Sequence, residues 1–384
     1  MEEKIVKKER NYGVDLLRLI SMLMVVVLHV LGQGGILSNS IALTLKGETF
    51  WALEILCYGA VNIYAIISGL VGYKTKHKGS SIINLCFQVV FFTIIIAGLD
   101  LIMLIKNNTL ISIQNIFFNF FPTIKSYWYF SAYFCLFFFM PILDKIIEHT
   151  PKSILRTTAF FCFIIFCCWT QLYTHVSNLD NGYSVFWLAI LYLVGAYISK
   201  YKPFKNFSFL RCILLFFIFI ILTIASRIVI GLLTNKILGH PALINVLVSY
   251  TSPTITLSSI FLVLAFSKLN FNKKVSKAIA FVAPLSFGVY LIHCNPIIFA
   301  LMQNSFVWII QKSILLGLLL VIGVSLSIMI ICLFLDYIRT QIFKLLRVNK
   351  LSEKIASAIS KFTCFIFKVL HIQTREDEHN DIAQ

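Results

Sequence analysis

The chain has 384 residues, of which 59% are hydrophobic and 13% are charged, and its formal net charge is +17. A soluble domain of this length would carry about twice that charged fraction. The Lys and Arg residues fall in short runs between apolar segments and form no single patch, which argues against a nucleic-acid partner. This composition is typical of an all-α, polytopic integral membrane protein and excludes a soluble enzyme.

The ten cysteines lie almost entirely within apolar segments, and the sequence contains neither a CxxC motif nor a Cys/His ligand spacing. Cysteines in such positions usually act as small apolar side chains. We therefore expect no disulfide framework and no metal site.

Apolar runs of roughly 17–25 residues are long enough to cross a bilayer as helices. The sequence holds about ten such runs, which we expect to pack into a single bundle. The first is not a cleaved signal peptide, because no small-residue cleavage site follows it and further spans do. In chain order the predicted spans are 13–31, 52–73, 82–105, 127–147, 155–172, 184–200, 208–233, 246–266, 280–299 and 313–336.

Lys and Arg are distributed unequally over alternate loops. One set of loops carries fourteen of them, and the opposite set carries far fewer, Lys46, Lys106, Lys125 and Lys236 among them. The positive-inside rule places the richer set in the cytoplasm. The basic N-terminal tail, residues 1–12, agrees with this orientation, so we expect both termini on the cytoplasmic side of the cell membrane.

The predicted transmembrane domain covers residues 13–340, and two segments of different character follow it. Residues 341–370 are predicted to form an amphipathic helix in the cytoplasmic membrane interface. Residues 371–384 are acidic and polar, which predicts a disordered tail. The apolar stripe of the amphipathic helix consists of Leu351, Ile355, Ile359, Phe362 and Ile366.

The first predicted span carries ionisable residues, which are costly in hydrocarbon. Arg18 and His29 are eleven positions apart, which is about 20° beyond three full helical turns, so they share a face roughly 16 Å apart along the axis. Asp15 lies one turn before Arg18 on that face. Arg18 and Asp15 could form an ion pair at the membrane interface or serve the function of the protein. His29 could be a core residue with its hydrogen bonds satisfied, or it could likewise be functional. Ionisable groups inside a membrane usually mark a pathway or relay.

Four stretches in this order resemble the membrane-bound acyltransferase 3 family, in particular its cell-surface polysaccharide O-acetyltransferase branch. The first, "RNYGVDLLRLISMLMVVVLHV", is similar to the family's first span, in which Arg and His are separated by ten residues. The others are "AVNIYAIISGLVGYKTK", "YWYFSAYFCLFFFMPILDKI" and "LSFGVYLIHCNPIIF". The likeness extends over nearly all of residues 10–340. In the basic loop after the second span, Lys74, Lys76 and Lys78 stand where many members have Arg.

The resemblance implies transfer of an acyl group, usually acetyl from acetyl-CoA, onto a hydroxyl of a surface glycan or a lipid-linked sugar. Arg18, with Lys74 and Lys76, would then hold the CoA phosphates, and Asp15 would orient Arg18. His29 would either deprotonate the sugar hydroxyl or carry the acyl group itself. The implied partners are an acyl-CoA donor, a polysaccharide or lipid-linked sugar acceptor, and membrane lipids.

Further polar and aromatic residues are candidates for the acceptor site. Arg227, inside the seventh span, either pairs within the bundle, with Glu54 as the expected partner, or binds the oxyanion or the acceptor. Tyr290 and His293 belong to the "GVYLIH" block, where hydrogen bonding between helices and catalysis are both open.

Trp128 and Tyr133 begin the fourth predicted span. An aromatic belt at the membrane interface and stacking on a sugar both explain such residues. The alternative function is a transporter or exporter of an acylated or lipid-linked glycan, for which an intramembrane polar path would be equally natural. No paired half-repeats support that alternative.

Overall fold

The computed structural model describes residues 10–107, 113–121, 127–172 and 179–369. These residues form helices joined by turns, without a β-strand, which confirms the all-α fold class. The predicted acidic tail 371–384, most of the N-terminal tail and Lys125 lie outside the described residues. The helices are α1 Tyr12–Leu31, α2 Leu45–Cys57, α3 Ala60–Gly72, α4 Gly79–Lys106, α5 Ile113–Phe120, α6 Trp128–His149, α7 Lys152–Phe163, α8 Thr170–Leu172, α9 Val185–Tyr201, α10 Phe209–Leu238, α11 Pro253–Phe266, α12 Lys273–Val282, α13 Ser286–His293, α14 Pro296–Met302, α15 Ile314–Leu345 and α16 Val348–Val369.

Eight helical segments of the described chain are long and apolar enough to cross a membrane, so the polytopic character is confirmed and the count of ten is not. The predicted runs 184–200 and 246–266 form α9 and α11, which have only 17 and 14 residues. Pro253 stands in the first turn of α11, where a missing N–H costs nothing, and the residues before it form turns. The eight segments are Tyr12–Leu31, Leu45–Gly72, Gly79–Lys106, Trp128–His149, Lys152–Trp169, Phe209–Leu238, Lys273–His293 and Ile314–Leu345.

Helix α1 lies at the centre of the bundle, in contact with α2, α3, α11, α12, α13 and α15. Within its most apolar stretch 67% of the residues are buried, against 22% in α10 and 17% in α15. The apolar faces of α10 and α15 are therefore left for lipid, whereas α1 is enclosed by protein. This position brings the polar residues of α1 inside the bundle.

Helices α3 and α9 approach each other so closely that neither backbone tolerates a side chain at the crossing. A Cβ atom added to Gly69 would lie 1.9 Å from the carbonyl oxygen of Tyr192, and one added to Gly195 would lie 2.0 Å from that of Ile66. Small residues at such crossings let helices pack by van der Waals contact where the hydrophobic effect provides no drive.

The C-terminal segment divides at a different residue from the one predicted. Helix α15 continues to Leu345, and α16 begins at Val348 after a left-handed backbone conformation at Arg347, rather than at residue 341. The predicted boundary was wrong because the polar residues after 336 continue the helix. Helix α16 packs on α4 and α15 and leaves Phe362 63% exposed, and its place at a membrane surface stays a prediction.

Candidate active site

The first turns of α1 form an ion-pair cluster around Asp15. The carboxylate of Asp15 accepts from Arg18 Nη1 at 2.6 Å and from Arg10 Nε at 2.5 Å. The side chain of Asp15 is 6% exposed and that of Arg18 is 31% exposed. The carboxylate therefore orients a guanidinium that remains open to a ligand from one side. This contact agrees with the expected arrangement of the two residues.

The face that carries Arg18 continues without interruption to His29, because α1 is a single helix of 20 residues. Tyr64, on α3, donates a hydrogen bond of 2.6 Å from its hydroxyl to the carbonyl oxygen of Arg18. Lys74 and Lys76 lie in the loop that follows α3 and are exposed. The basic loop begins at the end of α3 that lies on the same side of the bundle as the start of α1.

At the other end of α1, His29 meets His293, the last residue of α13. The distance from His29 Nδ1 to His293 Nε2 is 3.0 Å, and His293 Nδ1 lies 2.5 Å from the carbonyl oxygen of Val289. Cys294 Sγ is 3.6 Å from His29 Nδ1 and 3.4 Å from His293 Nε2. His293 is 0% exposed, whereas His29 and Cys294 line a cavity.

The carbonyl of Val289 decides which nitrogens of this pair carry protons. A backbone carbonyl only accepts hydrogen bonds, so Nδ1 of His293 is protonated and its Nε2 offers a lone pair. His29 Nδ1 then donates to His293 Nε2, and in the neutral ring Nε2 of His29 is left unprotonated. The arrangement produces a histidine with a free basic nitrogen at the wall of a cavity.

Two residues that the sequence analysis missed, Tyr127 and Asn295, hold the end of α13 in place. The Tyr127 hydroxyl donates to the carbonyl oxygen of Leu291 at 2.5 Å and accepts from Asn295 Nδ2 at 3.2 Å. Asn295 Oδ1 also accepts from the backbone N–H of Ile297 at the start of α14. Tyr127 and Asn295 thereby join the start of α6 to the turn that follows His293.

The cavity beside His29 has a volume of about 460 Å³ and mostly aromatic walls. Trp128 and Tyr290, both expected at the acceptor site, line it, and Tyr133 does not. Tyr183 and Tyr250 complete one wall, with ring centroids 4.6 Å and 6.4 Å from that of Trp128. A rigid aromatic wall of this kind presents ring faces and hydroxyl groups to a ligand.

A family model described as an acyltransferase domain, that of the acyltransferase 3 family, matches residues 11–337. The chain belongs to this family. The match includes α1, α13 and the cavity between them, so the histidine pair lies within a membrane acyltransferase domain. No curated protein and no solved structure gave a significant match to the chain.

Arg227 of this acyltransferase is not paired with Glu54, and that prediction was wrong. Its Nε lies 2.8 Å from Glu48 Oε2, its Nη1 donates to Asn245 Oδ1, and its guanidinium carbon lies 3.9 Å from the centre of the Trp51 ring. Arg227 is 1% exposed and does not line the cavity. The group links α10 to α2, as the interpretation of a pair within the bundle requires.

Glu54 is buried at 8% exposure, and its Oε2 atom has no hydrogen-bond partner among the described residues. The acyltransferase domain thus collects His29, Tyr290 and Trp128 at one cavity, and His293 lies buried behind His29. Arg18 and Asp15 lie at the far end of α1, and Arg227 is set apart. A sequence signal that could have placed Glu48 on a helix is Thr44, because Thr commonly caps helix N-termini. Its hydroxyl oxygen accepts a hydrogen bond from the backbone N–H of Gly47 in the first turn of α2.

Proposed function

We propose that this membrane acyltransferase moves an acetyl group from acetyl-CoA to a sugar hydroxyl of a cell-envelope or capsular polysaccharide or its lipid-linked precursor. It would act in the cell membrane with both termini in the cytoplasm. The observation that carries the proposal is the chain of hydrogen bonds from Val289 through His293 to His29, which leaves a basic nitrogen beside the aromatic cavity.

The donor would enter from the cytoplasmic end, where Arg18 holds the CoA phosphates with help from Lys74 and Lys76. The partly exposed guanidinium supports this role, because charge-assisted contacts to phosphate are strong. Lys74 and Lys76 would act as point charges without bidentate geometry. A pantetheine arm extends over roughly the 16 Å that separate Arg18 from His29 along α1.

In the transfer step, His29 Nε2 accepts the proton of the acceptor hydroxyl while its oxygen attacks the thioester carbonyl. The C–S bond breaks, the acyl group is left on the sugar oxygen, and the CoA thiolate takes up the proton from His29. His293 serves as a positioning residue, because its Nε2 keeps the proton of His29 on Nδ1.

The acceptor would lie in the aromatic cavity, with a sugar ring against Trp128 and its hydroxyl groups toward Tyr290. Flat ring faces support this assignment because they cover the apolar face of a sugar while the rims stay polar. Tyr133 lies one helical turn after Tyr129 on α6 and does not line the cavity. Its electrostatic interaction with Arg18 favours a role beside that residue over direct contact with the acceptor.

The test compares surface polysaccharide from deletion cells that carry wild type, His29→Ala, Arg18→Ala or the exposed control His240→Ala. Proton NMR measures the O-acetyl groups, and immunoblots measure the membrane level of each variant. We expect both site variants to lose the O-acetyl signal at normal polymer yield, with the control unchanged. Normal acetylation in His29→Ala would contradict the mechanism, and loss of exported polymer would favour the transporter.

A second test addresses His293 through two substitutions of different hydrogen-bonding capacity. The amide oxygen of His293→Gln accepts from His29 Nδ1, whereas His293→Leu offers no acceptor. We expect the Leu variant to lose about 100-fold in transfer rate and the Gln variant about tenfold or less. Equal rates for both variants in reconstituted vesicles, at equal protein level, would contradict the positioning role.

A further inference from the structure

Three atoms that can ligate a metal lie close together beside the cavity. They are His29 Nδ1, His293 Nε2 and Cys294 Sγ, and all lie within 4.8 Å of one another. The individual separations are 3.0 Å between the two nitrogens, and 3.6 Å and 3.4 Å from the sulfur to His29 and His293. Among the described residues, this is the one group of three His, Cys, Asp or Glu side chains whose ligand atoms lie close enough together to hold a metal ion.

The separations match those of ligands around one zinc ion. With Zn–N near 2.0–2.1 Å and Zn–S near 2.3 Å, tetrahedral geometry places two nitrogens about 3.3 Å apart and a nitrogen about 3.5 Å from the sulfur. The observed values deviate from these by no more than about 0.3 Å, which small side-chain rotations supply. An ion would therefore fit without movement of α1 or α13.

The surroundings of the three atoms also suit a metal. Metal-ligating histidines commonly donate their second ring N–H to a carbonyl, which fixes the ring and directs the other nitrogen at the ion. His293 has this arrangement, since Nδ1 faces the carbonyl oxygen of Val289. His29 and Cys294 line the cavity, so a fourth ligand position would open into it, and the ion could arrive through the same space.

We infer that His29, His293 and Cys294 form a binding site for a single zinc ion. On binding, the Cys294 thiol releases its proton to solvent as the thiolate ligates the metal. The proton on His29 Nδ1 moves to Nε2, so that Nδ1 can bind. His29 then carries a proton on the nitrogen that faces its substrate, and zinc inhibits transfer; this consequence, unlike the site itself, rests on the proposed function.

The site is tested on purified full-length chain in detergent, first stripped with a chelator and then desalted. Wild type should retain about one equivalent of added Zn²⁺ after gel filtration, as measured by mass spectrometry of the metal. Cobalt provides the structural readout, since a thiolate ligand gives Co²⁺ an intense near-ultraviolet charge-transfer band. The variant Cys294→Ser should lose that band, and the exposed control Cys135→Ser should retain it.

Binding of zinc or cobalt that is unchanged in Cys294→Ser, at equal monodispersity, would overturn the site. A Cys294→His variant guards against a mere folding defect, because it should bind Zn²⁺ again while Co²⁺ shows no thiolate band. Failure of this variant to recover metal, with normal gel-filtration behaviour, counts against the site.

Inhibition is measured separately, with each variant's transfer rate normalised to its own chelator-treated rate. Zinc at ten times its dissociation constant should reduce the wild-type rate about tenfold, by occupancy alone. At that zinc concentration Cys294→Ser should keep its own normalised rate. A stripped enzyme that needs zinc for activity would overturn the inhibition. A stripped and a loaded enzyme that both lack transferase activity, with zinc still bound, would instead overturn the proposed function.

Discussion

Arg227 carries a positive charge in a place that water does not reach. The charge is balanced by the Glu48 carboxylate. The guanidinium also donates a hydrogen bond to Asn245 and lies over the face of the Trp51 ring. A buried charge that loses its partner costs far more than the net gain of the intact pair, because desolvation is no longer offset. The stability of the α2–α10 contact therefore depends on one carboxylate.

We expect Glu48→Gln to lower the stability of the protein by about 3–5 kcal/mol, since it leaves Arg227 buried without a counter-charge. Glu54→Gln is the matched control, because Glu54 lies six residues further along α2 and forms no ion pair within the described part of the chain. Apparent melting temperatures in detergent, followed by tryptophan fluorescence, compare the two. An equal decrease for both variants would show that Glu54 shares the charge of Arg227.

Periodicity predicts the part of the site that lies on one helix and none of the part that lies between helices. The shared face of Arg18 and His29 follows from 100° per residue, and α1 has that form. The contact between His29 and His293 bridges 264 positions, and no local rule reports which helix faces which. Cys294 was interpreted as an ordinary apolar side chain for the same reason, because its neighbours in space are remote in sequence.

At the scale of helices, hydropathy locates each segment well and its ends poorly. Helix α2 starts at Leu45 rather than near 52, since a capping Thr44 and polar first turn do not raise the hydropathy that defined the span. Glu48 consequently fell outside the predicted span 52–73, and Glu54 was named as the partner of Arg227 instead. The short α11 shows the opposite error, in which apolar residues before Pro253 form turns.

The crossing of α3 and α9 predicts a large effect from a small substitution. Gly69→Ala places a methyl group 1.9 Å from the Tyr192 carbonyl oxygen, so the helices must separate, at a cost of about 1–3 kcal/mol. Gly98→Ala in α4 meets nothing within 4 Å and serves as the control. Fluorescence-detected gel filtration of fusion proteins measures the yield. We expect less monodisperse Gly69→Ala protein, and an unchanged yield would contradict the close crossing.

At the scale of the whole molecule, the unequal charge of alternate loops predicts the orientation in the membrane. The basic residues after α3 should face the cytoplasm, and His240, between α10 and α11, should face outward. Alkaline phosphatase fused after His240 should be active, because it folds only outside, whereas the same enzyme fused after Lys76 should be inactive. The reverse pattern would contradict the orientation and, with it, a donor site for CoA at Arg18.

The two histidines of the pair enter the membrane at very different times. Synthesis proceeds from the N-terminus, so α1 is inserted with His29 well before the ribosome has made Val289 and His293. During that interval the ring of His29 lacks the neighbour that holds its proton on Nδ1, so the proton can occupy either ring nitrogen. A chain that stops before α13 therefore carries His29 without the hydrogen bond that fixes its tautomer.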